Sequence, residues 1–371
     1  MFVKTVYHFT RKRVMGLSLK QIAEMTGVSV STVGRILSDP KHKCANEETR
    51  KKVLAAAREI NYIPNAAARS LKSGVKDEQR IYSVDILLTR YSSESADPFY
   101  DELLMIAEKE LRSRGCIVSG VWHQAELSDD KYSADIDAIV SGFYADRQQR
   151  SDGLIIIGKC TAKALRSLKK HEKNLIVISR NSTNYEVDEV ICDGSRLAAC
   201  AVSYLEKLGH TKIGYVGDCH NEARFSGYQS AMVKGHLTPD IDYIFDTVPN
   251  ERSGYAAMEH FLRLSDPPTG IYCANDILAV GMLKCLRSHR SRGYEPSVIS
   301  CDDIEEAQYT TPMLTTIALP KNEMVKFALM LLLDRINGGH KAVARIELEG
   351  TLIKRASCRQ FRELTEPEYY I

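Results

Sequence analysis

From residue 81 onward, short apolar runs alternate with longer amphipathic ones, and this alternation constrains the fold more than any other feature of the 371-residue chain. A strand buried on both faces of a parallel sheet shows no polar alternation, and the crossover to the next parallel strand needs a helix. The strand runs are SVDILL (83–88), CIVSGVW (116–122), GLIIIG (153–158), LIVIS (175–179), IGYVG (213–217), GIYCA (270–274) and SVISC (297–301). Roughly four strands precede residue 180 and several follow. Between them FYDELLMIAEKELRSRG, SRLAACAVSYLEKLG and DILAVGMLKCLRSHRSRG read as helices, each ending at a glycine (Gly115, Gly209, Gly293) suited to a left-handed cap. The chain is too long for one ordinary core, so two or three domains are expected.

The first part of the chain has a different texture. Residues 17–37, LSLKQIAEMTGVSVSTVGRIL, read as two short helices joined by a tight turn at Gly27. Ser18 and Gln21 form a capping box for the first helix, and Ser29 caps the second. Leu19, Ile22, Ala23, Val33, Ile36 and Leu37 make the inward stripe, which leaves Val30, Ser31 and Arg35 outside. A second helix so placed fits the major groove of DNA, where arginine can pair two-pronged with guanine. Residues 46–60 form a third helix capped by Asn46, and Pro64 ends it before a short Ala-rich hinge that runs to Gly74.

Charge divides the same way. Residues 1–76 hold 15 Lys plus Arg against 5 Asp plus Glu, a charge of +10, so the remainder carries −8 within the total of +2. A basic end that coincides with a helix-turn-helix is suited to phosphate and counterion release. Ten cysteines and ten histidines show no C-x-x-C, H-E-x-x-H or finger spacing, so neither a metal site nor a cofactor is expected. Cysteines inside apolar runs, with no signal-peptide or membrane-spanning run, point to a soluble protein in the reducing cytoplasm. Dinucleotide, P-loop and nucleophile-elbow motifs are absent, which argues against an α/β enzyme carrying an accessory DNA-binding head.

In order, the segments GVSVSTVGRIL, NEETRKKVLAAAREINY, IPNAAARSLKSG, DPFYDEL (97–103), DGLIIIG (152–158), LEKLGHTKIGYVG (205–217), RFSGY (224–228), CANDILAVG (273–281), SCDD (300–303) and PMLTTIALP (312–320) resemble the lactose/galactose repressor (LacI/GalR) family of bacterial transcription factors. The resemblance covers nearly the whole chain. It implies an all-α helix-turn-helix headpiece (17–63), a hinge helix and linker (64–76), and a two-lobed α/β core of the periplasmic-binding-protein type with doubly wound parallel sheets (81–357). The function it implies is a repressor, binding operator DNA as a homodimer, whose affinity is set allosterically by a small effector. A sugar or sugar derivative is the first expectation, and a purine or phosphorylated corepressor the alternative. At DNA the resemblance places Ser18, Ser29, Val30, Ser31, Thr32 and Arg35, with Asn65, Ala68, Arg69 and Leu71 in the hinge and Leu71 as a minor-groove wedge.

Open parallel sheets bind ligands beyond the carboxyl ends of their strands, and the resemblance assigns Phe99, Tyr100, Arg224, Asn275 and Asp302 there as effector contacts. On the residues alone, Asn275 and Asp302 read rather as helix caps and Arg224 as a surface ion pair. Two positions depart from the common pattern. Ser179 stands where many members have an Asp that serves sugar hydroxyls, and Lys159 would bring a positive charge to the cleft mouth. The terminal residues ASCRQFRELTEPEYYI are too short and irregular for a tetramerising coiled coil, so a dimer is expected. Translation is expected to start at Met15 rather than Met1, because family members begin close to the first capped helix.

Overall fold

The structure, a computed structural model, describes residues 19–38, 46–59, 81–90, 97–147, 150–289 and 293–361. They fall into two compact units divided between Ile81 and Tyr82. The first unit contains helices α1 (Leu19–Thr26), α2 (Val30–Ser38) and α3 (Glu47–Glu59). Ile22, Ala23, Val33, Ile36, Val53 and Ala56 form its core, with Leu19, Val28 and Leu37 packed against them. Gly27 takes φ +70° at the turn and donates its N–H to Ala23 O at 2.9 Å. Ser29 Oγ accepts from Thr32 N at 3.2 Å, and Asn46 Oδ1 from Thr49 N at 2.8 Å, so both caps form as the sequence predicts. Ser18, Asn65, Ala68, Arg69 and Leu71 lie outside the described residues.

The second unit holds two six-stranded sheets, one per lobe. In lobe one the order is β11-β5-β4-β3-β1-β2, where β1 is Ser83–Leu88, β2 Ile117–His123, β3 Gly153–Ile157, β4 Leu175–Ser179, β5 Asp188–Ile191 and β11 Arg345–Glu347. In lobe two it is β12-β10-β9-β8-β6-β7, where β6 is Ile213–Gly217, β7 Ile244–Asp246, β8 Gly270–Cys273, β9 Ser297–Asp302, β10 Thr315–Ala318 and β12 Thr351–Ile353. All pairs are parallel except β10 with β12. Helices α4 (Pro98–Ser113), α5 (Ile136–Asp146), α6 (Ala162–His171) and α11 (Lys321–Ile336) serve lobe one, while α7 (Gly194–Lys207), α8 (Ala223–Lys234), α9 (Glu251–Phe261) and α10 (Asp276–Ser288) serve lobe two. The chain crosses between lobes after β5, after β10 and between β11 and β12.

All seven apolar runs are strands, as the alternation requires. Helices α4 and α7 end just before Gly115 (φ +72°) and Gly209 (φ +89°). The third expected glycine cap is not one: α10 stops at Ser288, where His289 N–H bonds back to Cys285 O and Leu286 O, and Gly293 comes later. In lobe two, α9 and α10 cross so closely that a Cβ at Gly254 would lie 1.9 Å from Leu278 O, and one at Gly281 2.0 Å from Glu251 O. These glycines are there for backbone approach, which sets where α10 begins and thus where Asn275 sits.

Candidate functional site

On the first unit, Ser29, Val30, Ser31 and Arg35 are exposed along α2, and Thr32 is half-buried with its hydroxyl 2.8 Å from Ser29 Oγ. The inward stripe of α2 is used up on the three-helix core, so this polar face, with one guanidinium, is what the helix offers to a partner.

In the second unit the carboxyl ends of the strands in both lobes face a common cleft, and the residues that follow them are charged yet buried. Arg224, in the first turn of α8, is 2% exposed. It donates from Nε to Glu222 Oε1 at 2.9 Å and from a terminal nitrogen to Ala274 O at 2.7 Å, so it is no surface ion pair. Asp302 is the last residue of β9 and caps no helix; it adopts φ +121° and pairs with Arg180 of lobe one. Asn275 precedes α10, but its side chain makes no capping bond, and its buried Oδ1 has no hydrogen-bond partner. A buried amide oxygen left unpaired costs about 1–3 kcal/mol, so this acceptor is suited to a donor from a ligand.

Lobe one supplies the opposite wall. Asp97 caps α4 by accepting from Phe99 N at 3.1 Å, which fixes Phe99 and Tyr100 at the cleft. Arg180 lies with its guanidinium carbon 4.5 Å from the Phe99 ring centre and donates to Tyr100 Oη at 3.0 Å. Lys159 Nζ reaches across to His220 O at 3.0 Å. The Ser179 hydroxyl accepts from Asn181 N at 3.1 Å and shapes the turn that presents Arg180. Further links cross between the lobes, from Arg90 to Glu222 at 3.6 Å and Asp218 at 3.5 Å, and from Asn181 Oδ1, which accepts Ala223 N–H at 2.9 Å.

Burial sets the titration of these groups. It raises the carboxyl of Asp97 to about 6, with Asp302 adding to the effect, and that of Asp276 to about 7, again with Asp302. Asp276 lies behind the cleft and accepts from Ser300 Oγ at 2.5 Å, Thr316 Oγ1 at 2.6 Å and Ile304 N at 2.9 Å, an arrangement that holds β9 and β10 in place. Burial also raises Asp302, offset in part by Arg180 and Arg224. Glu222 goes the other way: burial would raise it, but Arg224 and Arg90 hold it well below the usual carboxylate range. Lys159 is lowered by burial and then by Arg90.

The sequence-derived residues Phe99, Tyr100, Lys159, Arg224, Asn275 and Asp302 thus gather at one cleft, and Arg180, Glu222 and Arg90 join them unforeseen. Arg180 directly follows the end of β4, so the strand-end rule that selected the others points to it as well.

Residues 18–65 match the family of bacterial regulatory proteins of the lacI type, and residues 202–358 match the periplasmic binding protein-like domain. The chain belongs to the LacI family. Over 347 residues it is 29% identical to the ribose operon repressor of Escherichia coli, covering 92% of this chain and 99% of that one. The transcriptional repressor PurR of Aliivibrio salmonicida is 28% identical over 349 residues, covering 92% and 98%. Among solved structures, a LacI-family regulator from Enterococcus faecium with bound ribose superposes with TM-score 0.61 at 25% identity, covering 75% of this chain and all of that one. The lac repressor dimer bound to operator and an anti-inducer gives 0.64 at 22%, covering 91% and 98%. As a LacI-family member the protein is a DNA-binding transcriptional regulator, with a helix-turn-helix head and a two-lobed effector-binding core. Among the described residues no helix is long and apolar enough to cross a membrane.

Proposed function

We propose that this LacI-family regulator is a dimeric cytoplasmic repressor, without enzymatic activity, that binds a sugar or sugar derivative in the cleft between its lobes. Arg224, Asn275 and Asp302 contact the hydroxyls from lobe two, and Phe99, Tyr100 and Arg180 close from lobe one. The observation that carries this reading is the pairing of Arg180 with Asp302 across the cleft beside the unpartnered Asn275 oxygen. A polyol has adjacent donors and acceptors that can take the place of the guanidinium at Asp302 and satisfy Asn275 together, while Phe99 offers an apolar face. The Enterococcus regulator with ribose supports the sugar class. In the same reading, Ser29, Val30, Ser31, Thr32 and Arg35 meet operator DNA, with Ser18 before them, and Asn65, Ala68, Arg69 and Leu71 act as the hinge. A hollow of about 220 Å³ on lobe two, lined by Val280, Leu283 and Tyr309 with the charged Lys284, Arg287 and Glu306, is the candidate self-association face.

A thermal-shift screen of the full chain against pentoses, hexoses, sugar phosphates and purines tests the effector class. Stabilisation by a neutral sugar is expected, lost in Arg224→Ala and Asp302→Ala. Stabilisation by purines alone, sensitive to Phe99 and Tyr100 but not Asp302, would replace the sugar reading.

A further inference from the structure

Beyond the cleft walls, the segment after β6 brings together three groups of metal-ligand type. Asp218, His220 and Asp246 each offer one atom, and these atoms lie within 4.8 Å of one another. His220 Nδ1 stands 3.7 Å from Asp218 Oδ1 and 3.4 Å from Asp246 Oδ2. Neither spacing is that of a hydrogen bond; a protonated imidazole paired with a carboxylate would close to about 2.7–2.9 Å. Bonds of about 2.0–2.2 Å to a tetrahedral Zn2+ put neighbouring ligand atoms about 3.3–3.6 Å apart, close to these two imidazole–carboxylate separations, and the third pair lies within 4.8 Å.

The backbone holds this arrangement. Gly217 takes φ +158° and packs so tightly that a Cβ there would lie 2.4 Å from that of Ala274, and this turn carries Asp218, Cys219 and His220 out beyond the sheet. Gly217 is also the register partner of Asp246 on β7, which is why residues 28 positions apart at most arrive at one point and why spacing along the sequence gives no sign of them. Cys219 N–H donates to Asp246 Oδ1 at 2.9 Å, which leaves Oδ2 turned toward the imidazole, and His220 N–H donates to Asp218 Oδ1 at 2.8 Å. His220 is 82% exposed on its side chain, so an ion can enter without any opening of the fold.

We propose that Asp218, His220 and Asp246 form a binding site for a divalent cation of the Zn2+ class at the rim of the cleft. One imidazole and two carboxylates make a donor set that suits a borderline transition metal and leaves a fourth position to water. The site touches the lobe interface, because Asp218 Oδ2 faces Arg90 of lobe one at 3.5 Å. A cation that neutralises Asp218 competes with Arg90 for it and weakens one of the links between the lobes.

Calorimetric titration of the chelator-stripped full-length protein with ZnCl2, and with MgCl2 as the hard-cation arm, tests this against His220→Ala and Asp246→Asn. Ten cysteines and ten histidines can take up zinc elsewhere, so the readout is the difference between proteins. One zinc equivalent is expected to disappear, or to weaken by more than the about 10–100-fold that loss of an outer-shell partner costs. Both variants should keep the metal-free melting temperature, since the substituted side chains are exposed. Arg90→Gln should tighten zinc binding. Equal stoichiometry and affinity in wild type and both variants would overturn the site, as would tighter binding of Mg2+ than of Zn2+ or no zinc uptake at all, and an unchanged affinity in Arg90→Gln would overturn the competition at Asp218.

Discussion

Replacing Arg180 with methionine removes the positive half of a buried pair while keeping most of its volume against Phe99. Arg180 is 4% exposed and Asp302 2%, so the loss leaves a carboxylate with little access to water. Breaking a buried pair from one side costs about 3–5 kcal/mol. Arg224 and Lys321 also act on Asp302, which places the expected cost at the low end, about 3 kcal/mol. For a core of this size that corresponds to a fall in melting temperature of about 6 °C. Asp302→Asn alone should cost a similar amount, because it strands the guanidinium near Arg224. With both substitutions no uncompensated charge remains, so the double variant should be more stable than the sum of the two losses, with a coupling of about 0.5–3 kcal/mol. Scanning calorimetry of the four effector-free proteins completes the cycle. A single variant melting within about 1 °C of wild type, or strictly additive losses, would show that the pair does not hold the lobes together.

Asp276 binds a proton in the folded state up to about pH 7 and in the unfolded state only near the ordinary value of 3.8, so folding takes up protons between these values and stability falls as pH rises through them. Melting curves from pH 5 to 8 should therefore show wild type losing stability relative to Asp276→Asn, and parallel curves would mean that the acid is ionised throughout. Arg35→Ala should cost about 1–3 kcal/mol of operator binding and relax base preference at one symmetric pair of positions, read by selection from randomised DNA; an unchanged consensus would remove Arg35 from base contact. Gly254→Ala should destabilise by about 1–3 kcal/mol or more, since its methyl group meets the Leu278 carbonyl, and a chemical-denaturation midpoint equal to wild type would contradict that crossing.

Six of the seven strands legible in the sequence, β1, β3, β4, β6, β8 and β9, are buried along nearly their whole length and are mainly apolar, while β2, half-buried at a sheet edge, is legible from its apolar letters alone. Five others escape notice for particular reasons. In β5, Asp188 and Glu189 are buried but paired, Asp188 with Arg335 and His340 and Glu189 with Thr183 N–H at 2.6 Å, so polar letters conceal an interior strand. The threonines of β10 are buried against Asp276 and Ser357, while β7, β11 and β12 have three residues each and lie at sheet edges. At the cleft, strand ends located Arg224, Asn275 and Asp302, but Ser179 drew attention from Arg180 beside it. Only the folded chain reveals that the serine shapes a turn and the arginine crosses to the other lobe. Glu222 gave no local signal, as its role follows from two arginines contributed by α8 and by the end of β1.

In the proposed function, one ligand in the lobe cleft sets DNA affinity. The most direct measurement is fluorescence anisotropy of a selected operator, titrated with the full-length protein with and without the sugar found by screening, for wild type, Arg224→Ala and Asp302→Ala. The sugar is expected to shift wild-type operator affinity by about 5- to 150-fold, the range of a 1–3 kcal/mol coupling. In both variants it should shift nothing, while effector-free DNA binding persists. A full response in either variant, or a wild-type response to no cleft ligand, would place control of DNA binding outside the cleft.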